Sequence, residues 1–222
     1  MNLSHSASKR PQSRGEERAN SLSHGFGLIA ALVATPYLIR HAIRHGDTRF
    51  LVGASIFAAT MVLLYLASTV YHALPPGRAK RVFRTLEHAA IYLLIAGSYT
   101  PFTLGVLRGA WGWTLLGLVW GIAVAGVALK VLNRMNHPVV STGLYLLMGW
   151  LIVIAAYPLS IRVPVSGLLW LIGGGLAYTI GVIFFALDSR LRYGHFIWHL
   201  FVMAGTACHY VAVLGVAAYS SG

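Results

Sequence analysis

The last apolar segment of the chain opens with Tyr193-Gly194-His195-Phe196-Ile197-Trp198-His199. It continues from Leu200 to Tyr219 without Lys, Arg, Asp or Glu, and this uncharged run is long enough to cross a bilayer as a helix. In a helix, His195 and His199 project from one face, one turn apart. Because imidazole is costly inside a membrane unless it has a partner, this pair is a candidate functional site.

A His-x-x-x-His pair has two interpretations. The two side chains can bind one metal ion, as they do on a helix of zinc hydrolases. Alternatively, both histidines are structural and hydrogen-bond to neighbouring helices. The spacing alone does not separate these interpretations because it is common by chance. The rest of the chain has to decide between them.

The composition identifies the class of protein. The chain has 57% hydrophobic and only 10% charged residues, whereas soluble domains carry roughly 25% charged residues. Its formal net charge is +12, but the Lys and Arg residues lie in the N-terminal tail and between apolar runs. This distribution indicates membrane topology and argues against nucleic acid as a partner. A single cysteine, Cys208, excludes an internal disulfide and a multi-cysteine metal site.

Seven apolar segments predict an all-α membrane protein, a bundle of seven transmembrane helices over residues 22–219 that follows a polar tail of residues 1–21. The segments are 22–39, 50–74, 86–107, 111–130, 139–161, 164–187 and 195–219. Pro75-Pro76-Gly77 ends the second helix. Pro36 and Pro101 fall inside the first and third helices, where each is expected to bend its helix.

The positively charged residues are distributed unevenly over the two sides of this bundle. The tail and the loops after the second, fourth and sixth segments carry twelve Lys and Arg residues, and the opposite loops carry five. The side with the excess belongs in the cytoplasm. We therefore expect a cytoplasmic N-terminus and a C-terminus on the outside.

This topology places ligand-type residues from three helices at one depth. The second helix ends with Ser68 and His72 on one face, the third begins near Glu87, and the seventh begins with His195 and His199. All five are expected near the cytoplasmic boundary of the membrane. Convergence of three helices favours a metal site over isolated structural histidines.

The residue types in this layer are typical of a catalytic zinc site. Three neutral imidazoles, from His72, His195 and His199, leave the fourth position of Zn²⁺ open for water, whose pKa zinc lowers to about 7. Glu87 can then act as general base, and Ser68 can donate a hydrogen bond to the water or to a developing oxyanion. The simpler alternative is that Glu87 pairs with a nearby basic residue and Ser68 bonds to its own helix backbone.

The other membrane histidines have weaker claims. His24 opens the first helix at the same depth and is expected beside the metal ligands. His88 points about 100° away from Glu87 around the helix. His209 lies roughly 15 Å along the axis from His199, too far to share the metal, and is predicted to line the outer half of the bundle.

Three ordered runs resemble one known family. They are Ser68–His72 (STVYH), Phe83–Phe102 (FRTLEHAAIYLLIAGSYTPF) and Gly194–His199 (GHFIWH), and the stretch Glu17–Gly25 fits the same pattern. Together they resemble the bacterial hemolysin III proteins. These belong to the progestin and adipoQ receptor (PAQR) superfamily, which includes the adiponectin receptors. The resemblance covers nearly the whole chain.

The resemblance implies a multi-pass protein of the bacterial inner membrane, with a cytoplasmic N-terminus and zinc bound by the residues that match His72, His195 and His199. The adiponectin receptors are linked to ceramide hydrolysis, with an acidic residue of the third helix near the metal-bound water. The family pattern usually has Asp at that place. This chain has Glu87, whose side chain is one methylene longer.

Three classes of function are compatible with these features. The first, which we favour, is a zinc-dependent hydrolase of a lipid amide or ester, with membrane lipids as partners and a zinc-activated water. The second is a channel, receptor-like or regulatory protein of membrane homeostasis or cytolysis, with a structural zinc. The third is a haem or retinal protein. Retinal requires a lysine inside a helix, whereas Lys9, Lys80 and Lys130 are terminal or in loops.

Overall fold

A computed structural model of the protein describes residues 10–134 and 137–220. Within these ranges all regular structure is helical, and seven helical stretches are long and apolar enough to cross a membrane. The predicted all-α, seven-span architecture is therefore confirmed. Residues 1–9 of the predicted tail and the predicted external C-terminal residue Gly222 lie outside the described residues.

Eight α-helices make up the seven spans, because the fifth span consists of two. The helices are α1 (Arg14–His45), α2 (Thr48–Ala73), α3 (Arg78–Pro101), α4 (Gly109–Val131), α5 (Pro138–Trp150), α6 (Ala156–Ser160), α7 (Val165–Ala186) and α8 (Gly194–Val216). A π-helical turn, Phe102–Leu107, extends α3. One 3₁₀ turn, Leu151–Ala155, joins α5 to α6, and another, Ala217–Ser220, follows α8.

The first helix begins well before the predicted segment 22–39. A capping box starts it: the Ser13 hydroxyl accepts from the Glu16 backbone N–H at 3.3 Å, and the Glu16 carboxylate accepts from the Ser13 N–H at 2.9 Å. Arg10 donates two further hydrogen bonds to Glu16, which is only 3% exposed. Residues 14–21, predicted as part of a polar tail, are therefore the start of α1, and Glu16 and Asn20 among them are buried.

The third span also begins earlier than the predicted residue 86. Its helix starts at Arg78, directly after Gly77, and its first turns are basic, so hydropathy does not register them. At the other end, Pro101 is the last α-helical residue before the π-helical turn. A proline removes one helix hydrogen bond, which explains why the regular geometry changes here.

The fifth span is interrupted by a side chain from the third. The Tyr99 hydroxyl lies 2.7 Å from the carbonyls of Met148 and Gly149, which share its single proton, and it accepts from the backbone N–H of Ile152 at 2.9 Å. A hydroxyl inserted among these backbone groups replaces their helical partners. The chain accordingly adopts 3₁₀ geometry over Leu151–Ala155.

The second and third spans form the most buried part of the bundle. They approach closely where glycine faces the partner helix: a Cβ on Gly53 would overlap the backbone of Pro101, and one on Gly97 would overlap Thr60. Large side chains of α2, including Phe50 and Phe57, are fully buried beside them. The end of α2 and the early turns of α3 lie next to the first turns of α8.

Candidate metal centre

Four ligand-type side chains converge where α2 ends and α8 begins. One potential ligand atom from each of His72, Glu87, His195 and His199 lies within 4.8 Å of the others, and all except the half-buried His195 are buried. The imidazole centroids are 5.1 Å apart for His72–His195 and His72–His199, and 4.7 Å for His195–His199. The expected convergence of three helices is therefore present, and the cluster can hold a metal ion. We call these four residues the metal cluster.

The orientation of His72 is set by a carboxylate from the first helix. Its Nδ1 lies 2.8 Å from Glu17 Oε2, so Nδ1 carries the proton and donates to the carboxylate. Glu17 is itself held by Lys80 Nζ at 3.0 Å. The His72 Nε2 atom is buried, lies 3.5 Å from Glu87 Oε1, and has no hydrogen-bond partner among the described residues. This leaves the Nε2 lone pair for a metal.

His195 follows the same pattern at the start of α8. Its Nδ1 lies 3.4 Å from Asp188 Oδ2 in the loop after α7. Its Nε2 is buried without a hydrogen-bond partner in the part of the chain that the structure describes. Tyr193, two residues before His195, is bound to the first helix, because its backbone N–H donates to Glu16 Oε1 at 2.9 Å. The start of α8 is therefore tied to the start of α1.

His199 is oriented by the backbone of α1. Its Nδ1 lies 3.2 Å from the Asn20 carbonyl and 3.1 Å from the Ser23 hydroxyl, and Ser23 donates its own proton to the same carbonyl. Both oxygens can therefore accept from the His199 Nδ1–H. All three imidazoles thus have Nδ1 engaged, which selects the tautomer with Nε2 as the metal ligand.

Glu87 is held within a chain of hydrogen bonds. The Ser68 hydroxyl donates to Glu87 Oε1 at 2.6 Å, so the alternative in which Ser68 bonds its own backbone is not what the structure contains. Because this proton is committed, His24 Nδ1 donates to the Ser68 oxygen at 2.7 Å. The His24 ring stacks on His199 with centroids 3.6 Å apart. His24 therefore lies beside the cluster, as expected.

The sequence did not indicate which groups would orient the three histidines. Glu17, the Asn20 carbonyl and Asp188 all lie far from their partners along the chain or in a loop. One signal pointed to Glu17 and Asn20, since the stretch Glu17–Gly25 fits the pattern of the family that the chain resembles. His88 was correctly set apart, because its Nδ1 bonds the Arg84 carbonyl of its own helix at 2.6 Å.

The donor set fits a divalent metal of the zinc type. Three imidazole nitrogens and one carboxylate are ligands that Zn²⁺ accepts in tetrahedral geometry. Two of these nitrogens, His72 Nε2 and His195 Nε2, are buried without a hydrogen-bond partner within residues 10–134 and 137–220. A buried polar atom without a partner is costly, and a metal ion would remove that cost.

An apolar cavity of about 420 Å³ opens from the metal cluster into the bundle. Glu87, His195 and His199 line its inner end, and His209 lines it farther along α8. Side chains of α3, α5, α7 and α8 form the walls, and most of them are aliphatic or aromatic. The position predicted for His209, as a lining residue apart from the metal ligands, is confirmed.

A substitution in α1 tests whether Glu17 acts on the metal through His72. We expect Glu17→Gln to weaken metal affinity about 10–100-fold, the usual range for a group that orients a ligand, because the charge facing Nδ1 is lost while the shape is kept. Competition with a zinc-sensitive chelator measures the affinity. Asp47→Asn, which removes a carboxylate bound to Arg108 elsewhere in the chain, is the matched control. Equal affinity in both variants would show that Glu17 has no such role.

Known protein sequences are similar to this chain over most of its length. A family model described as haemolysin-III related matches residues 12–210. Hemolysin-3 of Bacillus cereus is 43% identical over 199 residues, which cover 90% of each protein. Monocyte to macrophage differentiation factor of Homo sapiens is 32% identical over 89% of this chain and 83% of its own length. The adiponectin receptor protein of Drosophila melanogaster is 25% identical over 91% of this chain and 51% of its own length. No solved structure matches.

Proposed function

Because this chain belongs to the haemolysin III family of the PAQR superfamily, a family of multi-pass membrane proteins, we propose that it is a zinc-dependent hydrolase of a membrane-lipid amide or ester. The observation that carries the proposal is the metal cluster at the inner end of an apolar cavity. A cavity of this kind suits an acyl chain, with the carbonyl group at the cluster. We place the protein in the bacterial inner membrane.

The chemistry that bound zinc supplies is Lewis-acid activation of water at a carbonyl group. His72, His195 and His199 would hold the ion through their Nε2 atoms. Glu87 would take one proton from the attacking water and return it to the leaving nitrogen or oxygen, so that water adds across the amide or ester bond. The hydrogen bond from Ser68 fixes the Glu87 carboxylate. The apolar walls of the cavity exclude bulk water from the reacting groups.

A structural zinc is the second candidate, and one distance favours it. One oxygen of Glu87 and one nitrogen of each of the three histidines all lie within 4.8 Å of one another. If Glu87 is a fourth ligand, the site is closed, which is the pattern of structural zinc. The ion would then join α2, α3 and α8, and the protein would be a channel, receptor-like or regulatory protein.

Product release from lipids tests the hydrolase directly. We expect purified protein to cleave at least one member of a panel of ceramides and acyl lipids, and a chelator to abolish the cleavage. Mass spectrometry of the extracted lipids detects the free fatty acid and the released amine or alcohol. A panel without any zinc-dependent product would favour the structural role.

The charge distribution predicts how the bundle is oriented in the membrane. The side with twelve Lys and Arg residues is expected in the cytoplasm, together with the metal cluster. A reporter enzyme that is active only outside the cytoplasm should be active when it is fused after Gly222. The same reporter should be inactive when it is fused in the loop between α2 and α3. A cytoplasmic signal from the C-terminal fusion would contradict the proposed orientation.

A further inference from the structure

A second pocket, of about 740 Å³, lies between the start of α1 and the end of α2. Its lining residues include Arg14, Glu17 and Arg18 of α1 and Lys80 of α3. His72 also borders this space, but no described residue lines both this pocket and the apolar cavity that opens from the metal cluster. We call it the basic pocket, after Arg14, Arg18 and Lys80. It is separate from the apolar cavity, and its cationic lining favours an anionic ligand.

Two cations of the basic pocket are without a partner among the described residues. Arg14 and Arg18 are exposed, and neither makes a hydrogen bond or an ion pair within residues 10–134 and 137–220. The chain has five Asp and Glu residues, and all of them bond to other side chains. They are Glu16, Glu17, Asp47, Glu87 and Asp188. No acidic side chain is therefore free to neutralise the two arginines, and an external anion can bind them without displacing one.

Lys80, the third cation, already has a full set of acceptors. Its Nζ atom donates to the carbonyls of Tyr71 and Leu74, both at 3.1 Å, and lies 3.0 Å from Glu17 Oε1. These three acceptors match the three protons of an ammonium group. Because Glu17 compensates the charge of Lys80, the charges that a ligand meets in the basic pocket are those of the two arginines.

The face of α1 that carries the two arginines continues as an apolar surface. Residues at intervals of four lie along this face of the helix, and they are Arg14, Arg18, Leu22 and Phe26. Leu22 is 74% exposed and Phe26 is 67% exposed. Arg18 precedes Leu22, where the predicted apolar segment begins, by about 6 Å along the axis, and the headgroup layer of one leaflet is about 5–8 Å thick. Arg18 therefore lies at the level of the lipid headgroups, and the two apolar side chains lie at the level of the hydrocarbon.

We propose that the basic pocket binds the phosphate group of an anionic phospholipid from the cytoplasmic leaflet, with the acyl chains along Leu22 and Phe26. Each guanidinium group presents a fork of donors that matches phosphate oxygens. A zwitterionic headgroup fits less well, because its ammonium group would meet Arg14 and Arg18 without a free carboxylate. This proposal does not depend on the hydrolase, since the basic pocket and the apolar cavity share no lining residue within the described ranges.

Lipid binding to the purified, zinc-loaded protein in detergent tests this site. The probes are phosphatidylglycerol and phosphatidylcholine with identical acyl chains, so that only the headgroup differs. Titration followed by native mass spectrometry gives the affinity for the first bound lipid. We expect phosphatidylglycerol to bind at least about tenfold more tightly than phosphatidylcholine, the effect of one charge-assisted hydrogen bond.

Two double variants assign the preference to the basic pocket. Arg14→Gln combined with Arg18→Gln should lose the preference for phosphatidylglycerol. Arg81→Gln combined with Arg190→Gln is the matched control, because it removes two exposed arginines from the same predicted side of the membrane but outside the pocket. The control should retain the full preference. Both variants should keep the zinc content of the wild type, which shows that the bundle is folded.

A third probe, inorganic phosphate, separates a lipid from a soluble anion. Phosphatidylglycerol should raise the unfolding temperature of the wild type, as a ligand of the folded state does, and millimolar inorganic phosphate should not, because it lacks the acyl chains. Equal stabilisation by both would assign the pocket to a soluble anion and overturn the lipid. Equal affinity of the wild type for the two lipids would also overturn the proposal. So would a preference that the Arg14 and Arg18 variant retains, or one that both double variants lose to the same extent.

Discussion

Replacing any one of His72, His195 or His199 by alanine is expected to remove most of the bound zinc. Wild-type protein should contain about one zinc ion per chain. The reason is that each substitution leaves only two imidazoles, which make a poor zinc site. Mass spectrometry of the purified proteins measures the metal content. His88→Ala is the matched control, since that side chain bonds its own helix and lies outside the cluster.

The same variants should unfold at lower temperature. A ligand that binds only the folded state stabilises it by about 4 kcal/mol when its free concentration is a thousand times the dissociation constant. At that zinc concentration the histidine variants should lose most of this increment, and a chelator should lower the stability of the wild type alone. Full zinc content in His72→Ala would exclude a site that joins α2 to α8.

Glu87→Gln is expected to keep zinc and reduce turnover at least about 100-fold. The amide has the shape of the carboxylate but does not take a proton from water, and loss of a general base usually costs 10²–10⁴-fold. Metal analysis and single-turnover measurements on a cleaved lipid should be made on the same preparation. Ser98→Ala, another substitution among the residues that line the cavity, is the control and should preserve turnover.

The opposite result would identify the second candidate. If Glu87→Gln loses zinc, Glu87 is a ligand and the site is closed. If the variant keeps zinc and the wild type cleaves no lipid, the metal has a structural or regulatory role. Glu87→Asp adds a useful comparison, because Asp is the residue that resemblance to the family leads one to expect. We expect it to retain more activity than Glu87→Gln.

The seven spans could be predicted because they follow from a one-dimensional property. Each is an uncharged run long enough for a membrane, and its approximate position needs no knowledge of its neighbours. The shared depth of His72, Glu87 and His199 followed from helix direction alone. The direction in which each helix crosses the membrane follows from its place in the order of spans. The common depth of these residues could therefore be inferred without knowing which side chains touch.

Features that depend on distant partners could not be predicted in this way. Glu16 is polar and was assigned to the tail, yet it is buried because Arg10 and the Tyr193 backbone satisfy it. The segment Leu151–Ala155, where the fifth span is interrupted, contains no proline or glycine that would predict a break. The interruption arises from Tyr99 on another helix. In both cases tertiary hydrogen bonds override the local pattern.

The contact between the first turns of α1 and the start of α8 also has a consequence for the order of events during synthesis, because its two partners lie near opposite ends of the chain. Ser23 and His199 are 176 residues apart, so the ribosome needs roughly 9–35 s to proceed from one to the other. His72 is added during this interval, 49 residues after Ser23, whereas His195 and His199 are added only at its end. A site with all three histidines therefore exists only once the chain has been synthesised as far as His199, when the first six spans have already been made.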